Sequence, residues 1–284
     1  MLEYNKGECA YKAERSRVMV IRTQYLERLR PFYDSELVKV ITGIRRCGKS
    51  TILRQVIAEI KENGIEDSHI VYINFEDYKY HKLTDADAFY EYVEQKIVDE
   101  SKYYLFFDEI QNVNNFELVV NSFRATHNVS IFITGSNSKL LSGELATHLS
   151  GRTVSLRVLP FNFMEFCQYK DISAPDYETL LAEYMTYGGL PLVCGAANKE
   201  TKEVILNNIY DAVVLKDIVM RNKINSPLVL EKVLDYIVGN SSLTVSGNAI
   251  ASTLSSNGHK VSAPVVYDYL RCIVDACVCD KVSR

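Results

Sequence analysis

The 284-residue sequence predicts an α/β fold, a three-layer core around a parallel sheet followed by an all-helical half. Three observations carry this. Short β-branched and aromatic runs alternate with helix-period runs from Leu37 to Val158. The first apolar run leads straight into Gly43-Ile-Arg-Arg-Cys-Gly48-Lys49-Ser50, and a later one ends in Asp108-Glu109. After Pro160 the strand pattern stops and helical periodicity takes over.

Taken in order, residues 1–17 are polar and mixed in charge and read as a loosely held arm. Val18 to Ile21 suggests a short extended piece. Tyr25, Leu26 and Leu29 then mark an amphipathic helix ending before Pro31. This segment either covers the base of a nucleotide or packs against the sheet. Leu37 to Thr42 is a strand. After the glycine loop, Ile52, Leu53, Val56, Ile57 and Ile60 fall at helical spacing, and Asn63-Gly64 stops that helix. Ile70 to Phe75 is a buried strand, and Asp85 to Ile97 a helix with Phe89, Tyr92, Val93 and Ile97 on one face. Tyr103 to Phe107 is a strand, Phe116 to Arg124 a helix, and Val129 to Thr134 an interior strand running into Gly135-Ser136-Asn137-Ser138. A helix over Ser138 to Leu149 and a strand over Thr153 to Val158 complete the core, residues 18–160.

Residues 161–225 read as a helical lid, with helices at Met164 to Tyr169, Tyr177 to Thr186 and Thr201 to Val219. Gly188-Gly-Leu-Pro191 closes one of them and fixes a rigid turn. Residues 226–284 read as a winged-helix-like part, with helices at Leu228 to Val238, Ala249 to Leu254 and Val265 to Asp275. Cys277 to Arg284 looks like a first wing strand. No second strand follows it, and the reading expects the natural chain to continue.

The glycine run is the G-x-x-x-x-G-K-[ST] phosphate loop in its strand–loop–helix setting. Gly43 and Gly48 let the backbone close around phosphates, and the amides of Ile44, Arg45, Arg46 and Cys47 form an anion nest. The following helix, entered through Lys49, Ser50 and Thr51, adds the positive end of its dipole. Lys49 supplies a cation for the β- and γ-phosphates, and Ser50 a hydroxyl for Mg²⁺. A buried parallel strand delivers its last residue to the carboxyl edge of the sheet beside this loop. Asp108 there suits the Mg²⁺ shell, and Glu109 suits the base that aims the attacking water. Alone, two acids at a strand end would equally suit a helix cap. One strand and two helices after a phosphate loop, they form the second half of a nucleotide signature. The intervening strand implies that the two motif strands are not consecutive in the chain.

Thr134, Ser136 and Asn137 are placed to sense the γ-phosphate, and sequence does not separate them from one another or from a helix-capping turn. Arg152 has two readings: an arginine donated to a neighbouring subunit's γ-phosphate, or a surface arginine at a helix C-terminus. The first implies a homo-oligomer.

Composition bounds the rest. Hydrophobic content of 47% and charged content of 24% are those of a globular chain. A net charge of −4 disfavours a generally cationic nucleic-acid coat. No apolar run is long enough to span a bilayer and no secretory signal is visible, so no membrane partner is expected. The seven scattered cysteines read as reduced thiols of a cytoplasmic chain, with Cys272, Cys277 and Cys279 as core residues rather than metal ligands. No Asn-Lys-x-Asp guanine motif is present.

The ordered set of Gly43 to Ser50, Leu105 to Gln111, Ile133 to Asn137, Gly151-Arg152, Pro160-Phe161 and Gly188 to Pro191 resembles the archaeal and bacterial AAA-domain ATPases. These lie near the STAND and origin-recognition branches of the AAA+ superfamily. The resemblance covers roughly Val18 to the chain end. It implies a phosphate-loop NTPase core with a lid, ATP and ADP as ligands, and Mg²⁺. The Gly-Leu-Pro element is also similar to that of NB-ARC switch ATPases, which implies that Pro191 touches adenine. Family members commonly continue into a nuclease-like domain, and nothing about nuclease activity carries over. The expected activity is Mg²⁺-dependent ATP hydrolysis driving a conformational switch. The alternative is a DNA-associated adaptor with a mainly structural nucleotide. Its winged-helix pattern favours it. Its charge does not, since Lys232, Lys260, Arg271, Lys281 and Arg284 are balanced by Glu231, Asp235, Asp268, Asp275 and Asp280. Any DNA contact is therefore expected to be weak, and a protein partner remains open.

Overall fold

The computed structural model describes residues 19–136, 149, 151–171, 176–220, 222 and 224–282. The polar arm, Asn137 and the helix expected over Ser138 to Leu149, except Leu149 itself, lie outside the described residues.

Among the described residues, five strands form one parallel sheet: β1 (Val38–Thr42), β2 (Ile70–Asn74), β3 (Tyr103–Asp108), β4 (Val129–Gly135) and β5 (Thr153–Arg157). Their order is β2-β3-β4-β1-β5, so β4 is inserted between the strand of the glycine loop and the strand of the two acids. That insertion opens a crevice at the carboxyl edge, where the connections on either side of β1 diverge. The central strands β1, β3 and β4 are buried along their whole length, which explains their near-continuous apolar sequence.

Alternating side chains feed two cores. Val38, Val40, Leu105, Phe107, Ile131 and Ile133 face Phe89 and Val93 of α3 (Ala86–Glu94) and Val120 and Phe123 of α4 (Phe116–Thr126). Ile41, Tyr104, Phe106 and Phe132 face Leu26 and Leu29 of α1 (Thr23–Leu29) and Ile52, Leu53 and Val56 of α2 (Lys49–Glu62). The segment before the glycine loop thus buries its apolar face in this second core. Residues 19–22 upstream of α1 take no regular structure.

The helical half continues through α5 (Phe163–Lys170), α6 (Tyr177–Tyr187), the short α7 (Pro191–Cys194) and α8 (Lys199–Asp211), which runs into a π-helical stretch, Ala212–Met220. Then follow α9 (Pro227–Gly239), α10 (Gly247–Ser256) and α11 (Ala263–Asp275). Val193, Ile209, Val213 and Ile218 share one core with Leu230, Ile250, Val266 and Ile273, across the expected boundary at 225/226. Phe161, Phe166, Leu180 and Cys194 form a smaller core with Val20. The expected wing strand is corrected: among the described residues, those after Asp275 form turns and coil. Cys277 takes a left-handed conformation with φ 60°, which breaks an extended run, and no strand among the described residues lies beside it to complete a ladder. Cys272 and Cys277 are buried, and the described residues hold no His/Cys/Asp/Glu cluster able to bind a metal. No helix among them is long and apolar enough to cross a membrane.

One core residue breaks the apolar pattern. Lys39 of β1 is fully buried, donates to Ser130 Oγ at 2.6 Å and to the Ser35 carbonyl at 3.1 Å, and lies 4.5 Å from the Phe132 ring centroid. Burial, helped by the charge of Lys102 and opposed by Asp34, pulls its pKa from 10.5 down to about 7. The unfolded chain therefore holds this proton more tightly than the folded one. The cost to stability is full below about pH 7 and fades as pH rises toward 10.5. Lys39→Met is expected to be more stable than the parent at pH 6.5 by about 1–2 kcal/mol. Urea unfolding at pH 6.5 and pH 9.5 checks this, since the advantage should shrink at the higher pH. The same advantage at both would clear Lys39 of the effect.

Candidate functional site

β1 ends at Thr42, and the loop turns back into α2 at Lys49. Gly43 has φ +152°, and a Cβ there would lie 2.3 Å from the Val158 carbonyl oxygen, so only glycine fits under this strand exit. Gly48 precedes the helix in a left-handed conformation with φ +106°. Arg46 also has positive φ, 65°, at the exposed tip of the loop. The Cys47 side chain is buried in the core, and burial pushes its thiol pKa up against the nearby charges of Lys49 and Arg22. Ile44 is half-buried and packs on the core as well. Neither residue lines the cleft, and the Cys47 amide donates to the Ile44 carbonyl at 3.3 Å. Lys49 Nζ donates to the carbonyls of Gly43 at 3.1 Å and Ile44 at 3.3 Å and sits 3.5 Å from Glu109 Oε1. The two signature motifs, distant in sequence, thus meet through one ion pair.

The acids are held by β4. Thr134 Oγ1 donates to Asp108 Oδ1 at 2.5 Å and accepts the Glu109 amide at 2.9 Å. Tyr72 donates to Asp108 Oδ2 at 3.0 Å, and burial together with that carboxylate pushes the Tyr72 pKa up to about 12, so it stays a donor. Glu109 adopts a left-handed conformation, φ 54°, which turns it off the strand and toward Lys49. Such a conformation is costly for a residue with a Cβ and recurs where function demands it. Gln111 Nε2 holds Glu109 Oε2 at 2.5 Å. Of the two polar candidates among the described residues, Thr134 and Ser136, Thr134 is therefore the one joined to the acids. Ser136 is buried, its Oγ finds no hydrogen-bond partner among the described residues, and it does not line the cleft.

The cleft above the loop has a volume of about 450 Å³. Arg45, Arg46, Gly48, Lys49, Ser50 and Thr51 form its loop side, with Glu76 and Glu109 beside them. Across it stand Tyr169 of α5 and Pro191 and Leu192 of α7. The cleft thus has a cationic, amide-rich end and a less polar end made by the helical half. Arg45 ties the two halves: its Nη1 meets Glu76 at 3.0 Å and its Nε meets buried Asp217 of the π-helical stretch at 3.2 Å. Burial works against the Arg45 charge, but Asp217, Glu76 and Glu109 outweigh it and raise its pKa.

Arg152 lies elsewhere. Its carbonyl accepts the Val38 amide at 2.9 Å, and Val38 pairs with Thr153 while Thr42 pairs with Arg157. Arg152 is therefore exposed at the amino edge of the sheet, roughly 15 Å of strand from the loop. The turn before β5 therefore does not border the nucleotide face of its own sheet, because a parallel strand carries its first residue to the edge opposite its last. Residues that sequence reasoning missed include Tyr72, Glu76, Tyr169, Arg22 and Asp217. Tyr169 and Asp217 enter the site only through helix packing. Arg22 carried a weak signal, as a lone arginine between the apolar pairs Val20-Ile21 and Tyr25-Leu26.

The donor set suits a hard cation. The Ser50 hydroxyl lines the cleft and the Asp108 carboxylate stands at the end of β3, both oxygen donors of the kind Mg²⁺ takes alongside phosphate oxygens and water.

A family model described as "AAA domain" matches residues 35–167, and one described as a domain of unknown function matches residues 178–284. An uncharacterized protein of Haemophilus influenzae is 37% identical over 272 residues, which is 95% of this chain and 68% of that protein. An uncharacterized protein of Methanocaldococcus jannaschii is 32% identical over 248 residues, 84% of this chain and 55% of that one. The chain thus spans about two thirds and about half of these relatives' lengths. A Walker-type ATPase of Pyrococcus abyssi shares the fold with a TM-score of 0.63 at 14% identity, over 91% of this chain and 90% of its own.

Proposed function

The chain belongs to the AAA domain family of AAA+ ATPases, and on that premise we propose that it binds ATP with Mg²⁺ in the cleft above the phosphate loop and hydrolyses it to ADP. The observation that carries this is the convergence of Lys49 and Glu109, 3.5 Å apart, on a cleft whose other wall is Tyr169, Pro191 and Leu192. Loop amides and Lys49 take up the phosphate charge, with Arg45 and Arg46 beside them. Ser50 and Asp108 would hold Mg²⁺, which would neutralise charge on the phosphates. Thr134 holds the Glu109 amide and the Asp108 carboxylate in register. Glu109 Oε1 or Oε2 accepts the proton of the attacking water and aims it. Pro191 and Tyr169 are placed for the adenine face.

Because Arg45 joins loop, Glu76 and Asp217, nucleotide in the cleft and the packing of the helical half bear on one side chain. This supports a switch in which ATP closes the helical half on the core and ADP or release reopens it. A neighbour's Arg152 completes the site in trans, which makes the working unit a homo-oligomer. Reduced thiols suit a cytoplasmic setting. A DNA-contacting role has less support, since on the C-terminal helices Lys232 pairs with Asp235 at 3.1 Å and Arg271 with Asp268 at 3.0 Å.

Lys49→Ala tests the reading. It removes the cation that Gly43 O, Ile44 O and Glu109 hold at the phosphates, and a charged hydrogen bond lost there is worth about 2–3 kcal/mol. ATP affinity, measured by calorimetric titration, is expected to fall roughly 10²-fold. Unchanged affinity would remove this cleft as the nucleotide site.

A further inference from the structure

Arg22 lies outside every motif read from the sequence, yet its side chain is 2% exposed and more heavily bonded than any residue of the loop. Its Nε pairs with Glu165 Oε1 at 2.6 Å, and both side chains are buried. Its Nη1 donates to the Cys47 carbonyl, inside the phosphate loop, at 3.3 Å. Its Nη2 donates to the carbonyls of Leu159 at 3.1 Å and Pro160 at 3.5 Å, where the chain leaves β5 for the helical half. The guanidinium lies over the rings of Tyr25 and Phe161, 4.6 and 5.3 Å from their centroids. One planar cation therefore holds the loop, the sheet exit and the first helix of the helical half together.

From Glu165 the connection continues to the cleft. Glu165 Oε2 accepts the Asn162 amide at 2.9 Å, and the Asn162 side chain accepts the Glu165 amide, which fixes the start of α5. The next residue back, Phe161, donates its amide to the Gly189 carbonyl at 2.7 Å. A Cβ on Gly189 would lie 2.0 Å from the Phe161 carbonyl oxygen, so the two backbones are in direct contact. Pro191, on the far wall of the cleft, follows two residues later. Tyr169, on the same wall, is on α5 itself and packs on Phe161 with ring centroids 5.5 Å apart.

We infer that Arg22 is a positioning residue that sets the spacing between the phosphate loop and the base-side wall of Tyr169, Pro191 and Leu192. It touches no nucleotide. It fixes how far the phosphate end of the cleft lies from the base end, and so which ligands bridge both. The inference rests on the proposed reading of the cleft as an ATP site. A ligand that uses only the loop should be insensitive to this spacing, and one that spans the cleft should not.

The experiment compares ATP with inorganic tripolyphosphate, which has the phosphates and no base. Affinities are measured by calorimetric titration on the full chain, and the quantity read is their ratio. Arg22→Met combined with Glu165→Met removes the buried pair together, since removing one charge alone leaves the other stranded. The ATP-to-tripolyphosphate affinity ratio is expected to fall about tenfold, as misplacement of a remote wall predicts. Arg22→Lys keeps a charge beside Glu165 but not the fork that reaches three carbonyls, and its ratio should fall severalfold. An unchanged ratio in either folded variant overturns the inference, whichever way the absolute affinities move. A parent that binds neither ligand, or a Lys49→Ala chain that binds both as the parent does, would instead sink the ATP-site reading.

Discussion

Glu109→Gln is expected to keep ATP bound and to slow its hydrolysis by about 10²- to 10³-fold, the scale of a lost general base. The substitution keeps the shape of the side chain and the hydrogen bond from the Glu109 amide to Thr134 Oγ1, which is made by the backbone. It removes the carboxylate placed 3.5 Å from Lys49, so Lys49 becomes freer to meet phosphate oxygens, and ATP affinity should hold or rise. The left-handed conformation at this position is set by the turn after β3 and should survive the change. Single-turnover hydrolysis alongside equilibrium binding separates the two effects. Equal turnover in the variant and the parent would take Glu109 out of the mechanism and leave Asp108 and the loop to account for any activity.

Arg152→Ala is expected to lower turnover by about 10³-fold or more without weakening ATP binding in the chain that carries it, as for an arginine acting on a neighbour's phosphates. The residue is exposed at the amino edge of the sheet, on the opposite side from its own loop. From there it has no path to its own γ-phosphate, so any catalytic part must be played in trans. Two further results follow. Activity per chain should rise with protein concentration as subunits meet. Mixing Arg152→Ala chains with Glu109→Gln chains should restore part of the activity, because one composite site then holds both native residues. Full turnover in Arg152→Ala, at a rate per chain independent of concentration, would leave Arg152 as a surface residue and the protein as a monomeric ATPase.

The contrast between these two residues shows where sequence reasoning reaches and where it stops. Glu109 sits one position after a buried strand, and a strand end has a known place in a parallel sheet. Arg152 sits one position before a strand, and its place at the opposite edge follows only once that strand is known to run parallel to β1. The same limit applies to the polar run after β4. Thr134, Ser136 and Asn137 are chemically interchangeable as sensors in a string of letters, and only the pairing of β3 with β4 brings Thr134 to Asp108 and Glu109.

The winged-helix expectation divides the same way. Its helices are present because amphipathic periodicity and caps are local signals, and Ser246 and Pro264 mark the starts of α10 and α11 in the residue order. Its wing is absent among the described residues because a strand needs a neighbour, which no stretch of sequence supplies for itself.

The phosphate loop, the acidic strand end, the parallel α/β core and the change to helices after Pro160 could all be read from the order of residues alone. Each depends on interactions within a few positions: the period of apolar residues, the conformational freedom of Gly43, and the helix that begins at Lys49. Tertiary structure decided which groups meet. It brought Lys49 to Glu109, Arg45 to Asp217, Pro191 and Tyr169 to the far wall of the cleft, and Arg22 to a loop carbonyl and a glutamate 143 positions away. The physical reason is that a buried charge or a cleft wall is satisfied by whatever packing places beside it, and packing is a property of the whole chain.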